Sequence, residues 1–289
     1  MSTGPQRTAI LLAHCPDQRG LVAAVGDFVA RHGGNIVYFD QHVDDSQGVF
    51  FMRVEWALDG FSIAPEAIGG TFADEIAGHY GMTWRLHFSD ERPRLALFVS
   101  RLPHCLYDLL SRWQGGEWAV DIPLIVSNHE DLRPVAERFG IDYHCLPITP
   151  ENKAAQEARE LELLRAHEID LVVLARYMQI VGPALIGAYR ERLINIHHSF
   201  LPAFAGARPY HAAHARGVKI IGATSHYVTE ELDAGPIIAQ DVTPVTHRDD
   251  VDELVRKGRD LERLVLAQAV HAHLQRKILS YGNRTVIFD

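Results

Sequence analysis

The sequence predicts a two-part α/β protein, a ferredoxin-like βαββαβ unit followed by a doubly wound, mainly parallel sheet. Three observations point there. Strand-like and helix-like segments fill the first 88 residues in the order βαββαβ. A polar, proline-containing stretch, "SDERPR", then interrupts the pattern at residues 89–94. Beyond it, unbroken apolar strands alternate with helices, as in a sheet covered on both faces.

In the first unit, "TAILLAHC" reads as a strand and "RGLVAAVGDFVARHG" as a helix. Asp17 lies ahead of that helix, where its side chain can cap free N–H groups, and Gly33 and Gly34 follow it, where a left-handed turn costs little. Strands "NIVYFDQHV" and "VFFMRVEWAL", helix "PEAIGGTFADEIAGHYG" and strand "TWRLHFS" complete the unit. In the second, "RLALFVS", "DIPLIVSN", "YHCLPI", "IDLVVLAR" and "LINIHHS" are strands. The helices between them are "HCLYDLLSRWQGG", "LRPVAERFG", "AAQEARELELLRAHE" and a short one near "GPALIGAYR". "KIIGATSHYVTE" and "GPIIAQDVTPV" read as later strands, and "DDVDELVRKGRDLERLVLAQAVHAHLQ" as a closing helix. The expected domains are 1–88 and 95–289, joined by a linker at 89–94. No internal repeat is visible.

Composition excludes several classes. A formal net charge of −9 offers no basic stripe for nucleic acid, so a nucleic-acid partner is not expected. No apolar run approaches the roughly 18 residues a membrane span needs, and "MSTGPQRTAILLAHC" lacks a signal-peptide cleavage pattern, so a cytoplasmic location is expected. Cys15, Cys105 and Cys145 are odd in number and far apart, which suits reduced thiols. GxSxG and GxGxxG are missing, which argues against a serine hydrolase and a nicotinamide enzyme.

The chemistry-bearing residues cluster late in the chain. Asn195 and His197 alternate along a strand, so both project from one face at its carboxyl end, the end where parallel sheets bind ligands. His198 points to the opposite face or into the loop. Asp233 precedes Gly235 and Pro236 in a turn that can lean over a neighbouring strand end. Each residue alone is an ordinary strand-end or turn former. Together, without an activated serine or cysteine, an amide, an imidazole and a carboxylate suit acyl chemistry in which an external nucleophile attacks. His197, His198, His211, His214 and His226 crowd one region, but none shows recognised ligand spacing, so no metal is expected.

"INIHHSFLPAFAGARPYHAAHARGVKIIGATSHYV" followed by "LDAGPIIAQD" resembles the signature of the folate-dependent formyltransferase family. "CPDQRGLVAAVGDFVARHGGNIV" resembles the start of ACT domains, over roughly residues 8–88. Nearly the whole chain is similar to the branch of that family in which an ACT-like domain precedes the catalytic fold. Members of that branch hydrolyse 10-formyltetrahydrofolate to tetrahydrofolate and formate.

The resemblance implies Asn195, His197 and Asp233 as the catalytic trio. It implies that Met178, Ile180 and Val181 line the pterin slot, with Leu106 and the stretch through Gly235, Pro236 and Ile237 closing it. It implies no cofactor beyond the folate substrate, a homo-oligomer (dimer or tetramer), and an amino-acid effector or a purely dimerising role for the ACT-like unit. Formate supply and balanced one-carbon folate pools for purine synthesis would follow. Ser225 stands where a small apolar residue is expected.

Family members that formylate a phosphorylated amine carry a glycine-rich loop after the first strand of this domain. "SRLPHCLYD" has none, which favours water as acceptor. Transfer to a small amine, and folate or amino-acid sensing without turnover, remain the alternatives.

Overall fold

The computed structural model describes residues 6–202 and 209–289; residues 203–208 of the quoted signature lie outside them. β1 (Thr8–Pro16) is buried along most of its length because it is central, pairing antiparallel with β3 (Val49–Ala57) and with β4 (Thr83–Phe88). β2 (Asn35–Asp44) adds to the other side of β3, giving the order β2-β3-β1-β4 expected of the βαββαβ unit. Helix α1 (Leu21–Arg31) buries Leu21, Val25, Phe28 and Val29, one stripe at helical spacing, in a core with Leu11, Ala13, Met52, Val54 and Trp56. Helix α2 (Pro65–Phe72) continues through a π turn, Ala73–Ala77, into α3 (Gly78–Tyr80).

Asp17 does not cap α1. The N-cap is Gly20, left-handed at φ 94°, with no side-chain cap, while the Asp17 N–H donates to the Gly48 carbonyl at 2.8 Å. Pro16 ends β1, and two residues, Gln18 and Arg19, still separate Asp17 from Gly20. The other end follows the glycine reading, with Gly33 at φ 75°.

Residues beyond the closing helix form a hairpin, β12 (Ile278–Tyr281) and β13 (Arg284–Ile287). Leu279 and Phe288 pack on Leu12, Val49 and Phe51, the side chains that alternate with those facing α1. Buried Arg53 donates to the Arg276 carbonyl at 3.0 Å and to Glu55 at 2.9 Å. One compact unit therefore runs to Glu91 and takes in Gln275–Tyr281 and Val286–Asp289; the other is Arg92–Leu274 with Gly282–Thr285. The sequence-based division differs here, since it ran the second domain through residue 289. Two four-residue strands carry too little periodicity to announce a return to the first core.

The second unit is built on β5 (Arg94–Val99), β6 (Asp121–Ser127), β7 (Asp142–Cys145), β8 (Leu171–Leu174) and β9 (Leu193–His197), all parallel. β10 (Ile220–Tyr227) and β11 (Ile237–Pro244) extend it antiparallel, in the order β11-β10-β9-β8-β5-β6-β7. The helices are α4 (His104–Gln114), α5 (Arg133–Phe139), α6 (Lys153–Ala166), α7 (Pro183–Ala188), α8 (Pro209–Arg216) and α9 (Val251–Leu274). Leu161 and Leu164 of α6 and Leu185 of α7 pack on Ala96, Phe98, Leu124, Val126 and Val172. α9 packs against α4, α8 and strands β9 to β11.

From β5 the chain builds outward first through β6 and β7, then through β8 and β9 on the other side. Such a reversal opens a crevice at the carboxyl ends of the strands. Among the described residues, no helix is long and apolar enough to cross a membrane.

Candidate active site

β9 delivers Asn195 and His197 from one face at its carboxyl end. β10 runs antiparallel beside it in a register that sets Thr224 opposite His197 and His226 opposite Asn195. Ser225, the residue out of pattern, has a structural use: its hydroxyl donates to the Asn195 carbonyl at 2.9 Å and ties the two strands together.

Asp233 arrives on the turn between β10 and β11, itself left-handed at φ 55°, a conformation uncommon for a side-chain-bearing residue. The turn is braced by the Tyr227 N–H donating to Pro236 (2.9 Å) and by the Asn283 amide donating to Ala234 (2.8 Å). Gly235 is required: a Cβ there would overlap the Tyr227 carbonyl oxygen.

The polar groups form a chain. His197 Nδ1 lies 3.2 Å from Asp233 Oδ2, and His226 Nε2 lies 3.6 Å from Asp233 Oδ1. Asn195 Nδ2 is 3.3 Å from His226 Nε2, and His226 Nδ1 is 2.9 Å from the Tyr227 carbonyl. A carbonyl only accepts, so Nδ1 of His226 carries the proton. The opposite nitrogen, Nε2, faces both the Asn195 amide and Asp233, so His226 ties the Asn195 side chain to the carboxylate.

Asp233 is held well below the usual carboxylate range, by the hydrogen bond from His197 first and by His226 second, against the opposing effect of burial. An ionised Asp233 fixes the proton of His197 on Nδ1. His197 Nε2 is buried and has no hydrogen-bond partner among the described residues.

These groups line a cavity of about 430 Å³, within the range of small-molecule sites. One end is apolar and open, where Met178, Ile180 and Leu232 are 52%, 60% and 64% exposed. The other end is polar and closed, walled by His197, His198, His226 and Arg176, each under 10% exposed. The wall carrying Met178 is pinned by its N–H, which donates to the Ser100 hydroxyl at 3.1 Å, and Ser100 in turn donates to Asn128 at 2.6 Å.

Asn195, His197 and Asp233 therefore meet in one cavity, which Met178, Ile180 and Val181 also line. Leu106, Gly235, Pro236 and Ile237 do not line it. Leu106 is wholly buried on α4, while the other three serve the turn and the start of β11. His198, expected on the opposite face or in the loop, falls in the loop after β9 and lines the same cavity, its ring 5.1 Å from that of His197. β9 ends at His197, and strand alternation ends with it. Burial first, then the Arg176 charge, pushes His198 down to about 4, so it is neutral.

His226 and Arg176 carried no marked role in the sequence. The signal for His226 was cross-strand: only the β9–β10 register places it against Asn195. His211 and His214 sit exposed on α8.

Behind the closed end lies a second polar cluster. Glu262 of α9 accepts from His104 Nε2 at 2.8 Å and from the Tyr210 hydroxyl at 2.7 Å, with Arg176 Nε 3.4 Å away. His104, Cys105 and Glu262 form a donor set for a metal, their atoms within 4.8 Å of one another. The guanidinium already beside Glu262 makes it a poor place for a second cation.

The fold and the trio at its strand ends define a formyl transferase catalytic unit joined to an ACT domain. Residues 93–270 match the formyl transferase family model and residues 9–60 the ACT domain model. The formyltetrahydrofolate deformylase of Synechocystis sp. is 58% identical over 282 residues, 97% of this chain and 98% of that protein. The crystal structure of a formyltetrahydrofolate deformylase from Pseudomonas syringae pv. tomato matches with a TM-score of 0.96 at 47% identity, covering 100% of this chain and 96% of that one. Glycinamide ribonucleotide transformylase 1 from Symbiobacterium toebii matches with a TM-score of 0.66 at 30% identity, over 71% of this chain and 98% of that one. The chain belongs to the formyltetrahydrofolate deformylase family.

Proposed function

We propose that the chain hydrolyses 10-formyltetrahydrofolate, with Asn195, His197 and Asp233 as the catalytic residues. The observation that carries this reading is the buried His197 Nε2, unpaired on a residue that lines the cavity, while Nδ1 is held by an ionised carboxylate. A buried nitrogen without a partner is costly unless a ligand or transition state uses it.

The apolar mouth at Met178, Ile180 and Val181 receives the flat pterin, and the formyl group lies at the polar end. Water attacks the formyl carbon as His197 Nε2 takes its proton. A side-chain N–H of Asn195 donates to the carbonyl oxygen as that oxygen gains charge. His197 returns the proton to N10 as the C–N10 bond breaks, and formic acid loses its own proton to solvent. Tetrahydrofolate and formate result. Asp233 keeps the imidazole in the working tautomer throughout.

The reaction needs no cofactor beyond the folate substrate. A cytoplasmic homodimer or tetramer, an amino-acid effector at the ACT unit, and formate supply to purine synthesis complete the reading.

Purified protein given 10-formyltetrahydrofolate and no amine should release formate and tetrahydrofolate in equal amounts. Turnover only after an amine is added would make it a transferase, and tight folate binding without product would make it a sensor.

A further inference from the structure

Hydrolysis and formyl transfer differ only in what reaches the formyl carbon, so the wall on the acceptor side should decide between them. With folate filling the apolar mouth, the space left beside the formyl group is the closed polar end. There Arg176 forms part of the wall with its side chain 9% exposed.

Arg176 follows β8 at φ 66°, a left-handed conformation that disfavours any residue with a Cβ. The strain aims a long side chain at Glu262, which is itself 2% exposed and fixed by His104 and Tyr210. The Tyr210 hydroxyl reaches Glu262 by passing over Gly258, one turn earlier on α9, where a Cβ would strike the tyrosine ring. Four side chains thus back one end of the cavity, and the pair at its centre is charged, buried and braced from three elements.

We propose that Arg176, held by Glu262, is the acceptor-specificity determinant: it fills the space a larger amine would need and leaves room only for water or a nucleophile little bigger than water. The inference rests on the hydrolytic reading above and adds the reason water is chosen.

Its test is the partition of the formyl group. When an amine attacks, a new C–N bond forms, the C–N10 bond breaks, and the amine's proton passes through His197 to N10; an N-formyl amine replaces formate. The probes are hydroxylamine and glycinamide, each added to the full chain with 10-formyltetrahydrofolate, and the readout is the ratio of N-formyl product to formate.

The wild type should give formate with glycinamide, and formyl transfer only to the smaller hydroxylamine. Arg176→Gly with Glu262→Gln removes the side chain at a φ natural to glycine and leaves no unpaired charge. It should raise the glycinamide ratio by about tenfold or more, the scale of a pocket-size discrimination.

A folded double variant that binds tetrahydrofolate but keeps the wild-type ratio would overturn the proposal. Should that variant not fold, the wild-type size series still decides: equal transfer to both amines, after correction for their solution nucleophilicity, also overturns it. A wild type that releases no formate at all would instead sink the hydrolytic reading.

Discussion

Asp233 and Glu262 are both shielded carboxylates of the same unit, and they are wired for different ends. Asp233 serves two imidazoles, and one of these, His197, lines the cavity and keeps its far nitrogen unpaired. Glu262 takes hydrogen bonds from a histidine and a tyrosine and has an arginine alongside. Burial alone would raise Glu262, yet the His104 hydrogen bond, the Arg176 charge and the Tyr210 hydroxyl hold it below its ordinary value. The first cluster leaves a nitrogen of a cavity-lining imidazole unpaired, whereas the second commits its carboxylate to neighbouring side chains, with His104 Nδ1 and Arg176 Nε lacking hydrogen bonds. Disturbing the first should cost rate, and disturbing the second should cost stability.

The sharpest contrast is His197→Gln. It should lower kcat by about a thousandfold, the middle of the range for general acid–base groups, with the unfolding midpoint in urea little changed. The partner experiment is Glu262→Ala, which leaves the Arg176 charge unpaired. It should cost about 3–5 kcal/mol of stability in urea unfolding. An equal loss of stability in both variants would erase the distinction.

Glu160 sharpens the comparison from a third side. It is buried with a single hydroxyl donor, Tyr177 at 2.6 Å, and burial pushes it up to about 7, above its ordinary 4.5. Below pH 4.5 it is protonated whether the chain is folded or unfolded. Between 4.5 and 7 only the folded chain keeps the proton, so stability falls as pH rises across that window and stays reduced above it. Glu160→Gln should therefore be more stable than wild type at pH 8, by about 3 kcal/mol at 1.36 kcal/mol per pKa unit, and equal to it at pH 4. Thermal unfolding at the two pH values measures this.

The smallest effect is expected at His226. Losing the ring that holds Asn195 should lower kcat by about tenfold and leave KM nearly unchanged, less than the roughly hundredfold loss when the Asn195 donor itself goes. His226→Gln, whose amide can still hydrogen-bond Asn195, should recover part of it. A His226→Ala variant with full kcat would mean the Asn195 amide is oriented by something else.

How far the sequence foretold this arrangement follows from what local pattern can encode. Strand alternation put Asn195 and His197 on one face, and the turn chemistry around Gly235 put Asp233 near a strand end. Both depend on residues adjacent in the chain. His226 and Arg176 depend on strand order and on a left-handed backbone angle, which no short window contains. The family resemblance offers Leu106 as a pocket residue, whereas the fold buries it on α4 outside the cavity lining, a distinction an apolar side chain does not carry in sequence. The C-terminal hairpin escaped for a related reason: Leu279 and Phe288 find their core with Leu12 and Phe51, more than two hundred residues earlier.

The central claim is that solvent, activated by His197, supplies the new oxygen of the product. Turnover in water enriched in oxygen-18 measures it directly. Formate should carry one heavy oxygen per molecule formed, with the rate of its formation lowered about a thousandfold in His197→Gln. Unlabelled formate from the wild type, or labelled formate undiminished in the variant, would contradict it.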